Sequence, residues 1–241
     1  MNIKKFLLFI LAVSFSFVSY GQLFKKVVGN DKYEWREYKV QDYSKINLSD
    51  AFNVTYKVNP DSAGFIKVYG EENILDMITI KSEKGKLTMK LSGKLKPEFG
   101  IISIQAYSSS LSEVDNQGAA TFEIVSPIEG PEIKFTVLGA GQIKANDIAC
   151  GVLKINVGGS GDVSVKGRAG MGDYNIQGTG DIKAEELKTE EVNASITGSG
   201  VIKCHAEKNL KTFLTGSGNI KYKGRPEIKT RTVGTGTVLP L

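Results

Sequence analysis

Two aspartates, Asp162 and Asp181, each stand directly after a Gly-x-Gly tripeptide, a placement that invites comparison with calcium-binding β-rolls. Those rolls follow Gly-Gly-x-Gly-x-Asp, with carboxylates of successive turns facing a shared ion. Here the aspartate comes one residue early, and the place that pattern needs is held by Val163 and Ile182. A carboxylate beside a glycine turn has a simpler use, which is to accept a backbone N–H and cap the turn. Asp162, Asp181, Glu185 and Glu186, with Lys183 and Lys203, could lie within one or two strands of each other, as the acids and bases of a polysaccharide lyase or glycosidase do. Such sites also need a groove over the acids, and no long insertion builds one in this stretch. His205 is the only histidine. One imidazole cannot make a His-based metal site, and any Ser-His-Asp or Cys-His assembly would hang on it alone. Cys204 is adjacent, but neighbours along a strand point to opposite faces. No catalytic, cofactor or metal site is assigned. The expectation is a non-enzymatic binding or structural protein, with a polysaccharide-acting enzyme as the alternative.

The element that must position all of these residues is a repeat. Gly-x-Gly recurs at Gly139–Gly141, Gly159–Gly161, Gly178–Gly180, Gly198–Gly200, Gly216–Gly218 and Gly234–Gly236, at spacings of 20, 19, 20, 18 and 18 residues, with a degenerate copy at Gly118-Ala119-Ala120. Four residues after each first glycine stand Ile143, Val163, Ile182, Ile202, Ile220 and Val238. Two before it come Val137, Val157, Ile176, Ile196, Leu214 and Thr232, and six before it Ile133, Leu153, Gly172, Val192, Leu210 and Ile228. Between these columns the residues are mostly polar, as at Lys144, Ser164, Lys183, Lys203 and Lys221. Period two on both sides of the glycines predicts two short strands per repeat, each with one inward face. So short a unit cannot bury its own apolar face; stacking does so, by turning each column into a ladder of like side chains. Parallel strands about 4.8 Å apart would make the six rungs a rod of roughly 25–30 Å. The glycines are expected where φ is positive or where a Cβ would strike the next rung.

Before the repeat the chain alternates less regularly, at Phe52 to Val58, Phe65 to Tyr69, Met77 to Lys81, Lys86 to Leu91 and Ile101 to Tyr107. Asn59-Pro60-Asp61, Gly70, Lys84-Gly85 and Gly93 punctuate it as turns, and Glu71 to Leu75 suits one helical turn. Without a low-complexity linker this part reads as continuous with the solenoid and closing its first end. Residues 1–21 read as a secretory signal peptide, with Lys4 and Lys5, the apolar stretch Phe6 to Val18, and Ser19-Tyr20-Gly21 as a small-x-small cleavage site before Gln22. The expected organisation is therefore signal peptide 1–21, an unplaced extension 22–39, and one β-helical domain 40–241, irregular over 40–112 and regular over 113–241.

Without the signal peptide, 29 basic residues face 26 acidic ones. That mild balance, with lysines alternating along strands instead of forming runs, argues against nucleic acid. The apolar stretch is shorter than the about 20 residues of a membrane span, so no integral membrane segment is expected once it is removed. Cys150 falls between the expected strands and Cys204 on one of them, several rungs apart, so both are expected to be free thiols. At the other end, Thr237 to Leu241 offers little cover for the last rung. Either Leu239 or Leu241 folds back over the column, or this end self-associates or meets a partner. The partner expected is an envelope protein or a glycan, in the periplasm, at the outer surface or outside the cell.

Tyr43-Ser44-Lys45-Ile46-Asn47-Leu48, Phe52-Asn53-Val54-Thr55 and Gly70-Glu71-Glu72-Asn73-Ile74-Leu75, followed by the Gly-Ser-Gly-Asp and Gly-Thr-Gly-Asp repeats, together resemble the putative auto-transporter adhesin, head GIN domain family over roughly residues 40 to 241. The resemblance implies an exported protein of Gram-negative bacteria with a right-handed parallel β-helix-like solenoid, rungs of about 18–21 residues, and no established biochemical activity. Gln142, Val201, Asn219 and Thr237 replace the motif's aspartate, so a regular acidic ladder is not implied.

Overall fold

A computed structural model describes residues 27–92, 97–98 and 100–241, and the expected signal peptide lies outside them. The described chain is almost wholly β: β1 (Val27–Val28), β2 (Tyr33–Lys39), β3 (Lys45–Leu48), β4 (Asn53–Val58), β5 (Phe65–Glu71), the helical turn α1 (Glu72–Leu75), β6 (Ile78–Glu83), β7 (Lys86–Leu91), β8 (Pro97–Glu98) and β9 (Ser103–Ser108). The solenoid follows as β10 (Glu113–Asn116), β11 (Thr121–Ile124), β12 (Ile128–Val137), β13 (Gln142–Gly159), β14 (Asp162–Gly178), β15 (Asp181–Gly198), β16 (Val201–Gly216), β17 (Asn219–Lys223), β18 (Glu227–Gly234) and β19 (Thr237–Pro240), making about six turns over residues 113–240. The alternating runs become strands, and Asn59-Pro60-Asp61 and Lys84-Gly85 turn as expected, but Gly70 lies within β5 just before the helical turn and Gly93 lies outside the described residues.

Rungs stack in parallel and in register. Ile143 pairs with Val163, Val163 with Ile182, Ile182 with Ile202, Ile202 with Ile220 and Ile220 with Val238. The first five of these are 0% exposed, so each contributes on the order of 1.5–3 kcal/mol of gross apolar burial. The glycines fulfil both expected roles. Gly178 has φ +142, and a Cβ there would lie 2.3 Å from the Gly159 carbonyl oxygen; at Gly180 it would lie 2.1 Å from that of Gly161.

Two strands per rung proves one too few. Between β13 and β14 the pairing runs in three pieces, Gln142 to Ala145, Ile148 to Cys150 and Val152 to Gly159, broken by a register shift after Ala145 and by Gly151. The middle piece carries so few inward residues, Ile148 in one rung and Leu187 with Thr189 in another, that no alternation shows in the sequence. Cys150 therefore sits in a ladder opposite Ala169 and not between strands. Both cysteines are free.

The N-terminal end breaks the sequential order of stacking. β3 and β4 form a rung covered on one side by β10 and β11 and on the other by β7 and β9. The chain leaves this rung, builds the outer layer, and returns past it to begin the regular repeat. Antiparallel pairs β2–β5, β5–β9 and β6–β7 close that end. The aliphatic column continues through Phe122, Val54 and Ile104, all buried, so one core runs the length of the molecule. Glu71, buried in this cap, accepts from the Asp31 amide at 3.0 Å and the Gly100 amide at 3.0 Å, tying down the segment ahead of β2. At the far end Leu239 and Leu241 do not fold back. Leu239 pairs with Lys221, the Leu241 amide donates to the Tyr222 carbonyl, and both side chains are about half exposed.

Candidate functional site

The acids singled out in the sequence cap and pair; they do not gather. The Asp181 amide donates to Asp162 Oδ1 at 3.2 Å, and the Val201 amide to Asp181 Oδ1 at 3.2 Å, so each carboxylate holds the next rung's turn. Lys183 stands 3.8 Å from Asp162, Lys203 3.9 Å from Glu185, and Glu186 3.0 Å from Lys166. Such part-exposed pairs contribute little, roughly 0–1 kcal/mol each. His205 Nε2 lies 2.9 Å from Glu207 Oε1 on the outer face, while Cys204 points into the core. Burial pushes the Cys204 thiol up to about 12, with the Glu185 charge adding, and burial alone pushes Cys150 up to about 11. Thiols protonated at neutral pH are poor nucleophiles. Among the described residues no group of three His, Cys, Asp or Glu side chains is placed to hold a metal ion.

A feature with no counterpart in the sequence reading lies on the outer face of the cap. β2 alternates Tyr33-Glu34-Trp35-Arg36-Glu37, and antiparallel pairing with β5 sets Trp35 opposite Tyr69. Their ring centroids are 5.0 Å apart, and Tyr33 stacks on Tyr69 at 5.7 Å and 25°. Trp35 is 53% exposed and Tyr33 46%, Tyr69 between them is half-buried, and Tyr56, Phe122 and Phe135 lie in the core. The inner neighbour Arg36 locks this strand, with Nη1 2.7 Å from Asp76 and Nη2 donating to the Glu72 carbonyl at 3.1 Å. The nearby Glu71 charge, followed by burial, raises the Tyr33 phenol above its ordinary value, so it remains a neutral hydroxyl donor. Period two in Tyr33-x-Trp35 was the available signal, but only the distant partner Tyr69 makes it a platform.

The ladder register carries this platform into a polar row. Tyr69 is opposite Ser103, Ser103 opposite Asn53, Asn53 opposite Thr121, Thr121 opposite Gln142, and Gln142 opposite Asp162, then Asp181. Beyond a Val201 gap come Asn219 and Thr237, whose hydroxyl donates to Asn219 Oδ1 at 2.6 Å. All face outward, because their chain neighbours Ile104, Val54, Phe122, Ile143, Val163 and Ile182 form the buried column. Ten steps of about 4.8 Å give a track of roughly 45–50 Å measured along the ladder. It begins with exposed aromatic faces and continues with hydroxyl, amide and carboxylate groups. The chemistry available is that of stacking and hydrogen bonding to an extended, hydroxyl-rich chain.

Comparison with known proteins gives the same picture of the fold. A family model described as putative auto-transporter adhesin, head GIN domain, matches residues 42–226. The chain is similar to the crystal structure of a putative adhesin from Bacteroides fragilis, with TM-score 0.85, 27% identity, and coverage of 89% of this chain and 100% of the other. A putative lipid binding protein from Parabacteroides distasonis superimposes with TM-score 0.77 at 25% identity, covering 90% of this chain and 100% of its own. A putative adhesin from the same species gives TM-score 0.73 at 27% identity, with coverage of 90% and 100%. No curated protein matches the sequence. Among the described residues no helix is long and apolar enough to cross a membrane.

Proposed function

Since the chain belongs to the putative auto-transporter adhesin, head GIN domain family, we propose that it is an exported, non-enzymatic binding protein of the bacterial envelope that holds a glycan chain along one face of its solenoid. The observation that carries this reading is the platform of exposed Tyr33 and Trp35 packed on half-buried Tyr69, running in register into Ser103, Asn53, Thr121 and Gln142. Exposed apolar patches on a folded chain mark interaction sites, and tryptophan and tyrosine dominate the energetics of such sites. A stacked solenoid is rigid along its axis, so ligand groups at the ladder spacing meet a preformed row at little ordering cost. The carboxylates of Asp162 and Asp181 are already engaged in turn caps, which suits binding better than bond cleavage. Self-association through the last rung, β18 and β19, belongs to the same proposal, because its Ile228 and Val233 side chains are exposed.

The test uses the mature chain on an array of neutral and acidic bacterial glycans, beside Trp35→Ala and Tyr69→Ala variants that melt like the wild type. Binding weakened about tenfold or more by either substitution is the expected result, in line with an interface anchor. A release of reducing ends from any bound glycan would instead mark an enzyme. Cell fractionation with N-terminal sequencing checks export, which requires an envelope or extracellular species starting near Gln22.

A further inference from the structure

On a different face of the cap, β6, β7 and β3 form a groove of about 760 Å³ lined by lysines 45, 81, 84, 86 and 90 with Glu83, and by hydroxyl groups of Thr79, Thr88 and Ser92. The register explains why the charges converge. β6 and β7 pair antiparallel with Thr79 opposite Lys90, Lys81 opposite Thr88 and Glu83 opposite Lys86, and β3 adds Lys45 directly opposite Lys86. Lys84 projects from the turn, where it and Gly85 adopt φ of 51° and 73°. Five ammonium groups thus face one carboxylate, while the whole chain carries a net charge of only +5.

Few internal partners use these charges. Lys45 lies 3.6 Å from Glu113, which Lys134 also approaches at 3.3 Å. Burial works to raise the Glu113 carboxyl, but Lys134, Lys45 and Lys86 outweigh it and hold it below the usual range. Among the described residues, Lys81, Lys84, Lys86 and Lys90 make no ion pair within 4.0 Å. Like charges directly opposite on neighbouring strands destabilise a sheet. Glu113 opposite Lys45 and Glu83 opposite Lys86 compensate part of the Lys86–Lys45 repulsion, and an anionic ligand would offset the remainder left by Lys81, Lys84 and Lys90.

We infer that this groove is a second binding site, taking an acidic polysaccharide that carries carboxylate or sulfate groups. The inference rests on the reading of the chain as an exported binding protein, though it concerns a different face. Charge complementarity defines the partner's sign. The hydroxyl groups between the lysines suit a sugar backbone, and diagonal neighbours across a strand pair, such as Lys81 and Lys90, sit roughly 7–8 Å apart, a spacing that repeats as charges do along a polymer. Among the described residues no apolar side chain lines the groove, which disfavours a membrane surface as occupant, since peripheral membrane binding draws on apolar burial as well as charge.

Calorimetric titration of the mature chain with polygalacturonate, dextran sulfate, neutral dextran and phosphatidylglycerol vesicles tests this. At least one of the two acidic polymers should bind, neutral dextran should not bind at this groove, and affinity should fall about tenfold or more between about 0.05 and 0.5 M salt. Lys81→Glu/Lys90→Glu should weaken polymer binding about tenfold, whereas Lys144→Glu/Lys221→Glu, an equal charge change on another face, should alter it less than about twofold. Equal loss in both double variants would reduce the effect to net charge, and vesicles bound in place of polymers would assign the groove to lipid. Either result, or no polymer binding by the wild type, overturns the inference. A glycan lost on Trp35→Ala while acidic polymers still bind would separate the two sites, and the reverse pattern would leave only the aromatic row standing.

Discussion

Position 172 offers a sharp test of the packing, because the repeat and the structure give opposite advice there. Its column reads Ile133, Leu153, Gly172, Val192 and Leu210, so consensus reasoning would place valine at 172 to stabilise the rung. The structure shows why glycine stands there. A Cβ on Gly172 would lie 2.5 Å from the ring of Tyr174, which is 1% exposed and occupies the next inward column where other rungs carry Phe135, Ile155, Ala194 and Thr212. Tyr174 has taken the volume its neighbour gave up. Gly172→Val should therefore overpack the core and cost about 1–3 kcal/mol. Tyr174→Ile should leave a void at a cost of about 1–3 kcal/mol, below the about 3–5 of a full aromatic truncation. It also removes a buried hydroxyl that has no hydrogen-bond partner among the described residues. The double variant places Val and Ile where the preceding rung has Leu153 and Ile155, and should recover most of the loss, with a coupling energy on the order of 1–3 kcal/mol. Urea unfolding of the four proteins measures it. Additive losses, or a stabilised single Gly172→Val variant, would refute the argument that the two positions share one volume.

Three further outcomes follow from the same structure. Ile182→Asp puts a carboxylate into the fully buried column and should cost several kcal/mol and broaden the unfolding transition, whereas Lys183→Gln, beside it on the outer face, should cost less than about 1 kcal/mol; similar melting temperatures for the two would sink the ladder model. Burial raises Cys150 to about 11, and Cys204 and Tyr56 to about 12, from ordinary values of 9.0 for thiols and 10.0 for tyrosine. Their neutral forms are thus favoured by folding, so the stability they contribute should be level below about pH 9, fall as pH rises toward 11–12, and fall less steeply in Cys204→Ala when followed by thermal melts. Light scattering over a concentration series should show association that Val238→Lys weakens, since Val238 caps the aliphatic column at the last rung; a monomer throughout would remove that part of the proposal.

The regular half of this fold was legible because its physics repeats. Each Gly-x-Gly marks a turn where a Cβ would meet the rung below, and each aliphatic column is one core ladder, so aligning six copies gave register as well as strands. The middle strand of each rung was not legible, because an inward residue such as Ile148, flanked by Asn146-Asp147 and Gly151, gives no period. The cap was hidden for a different reason. β3 and β4 are covered by β10 and β11 on one side and by β7 and β9 on the other, and no local pattern reports that the chain returns past an earlier rung. The roles of Asp162 and Asp181 as turn caps followed from their position beside the glycines. Trp35 could not be placed, since its meaning depends on Tyr69 across an antiparallel pair and on Ser103 and Asn53 beyond it.

Trp35 is the only tryptophan in the chain, so its emission reports on the platform alone. Titrating the mature protein with the glycans retained on the array, while following that emission, shows whether a ligand stacks on the Trp35 face. A ligand held on this platform gives a saturable shift in intensity or wavelength with the same midpoint as calorimetric binding, and Tyr69→Ala moves that midpoint about tenfold or more to higher concentration. A glycan that binds by calorimetry while the Trp35 emission stays unchanged, in the wild type as in Tyr69→Ala, would contradict binding at this platform.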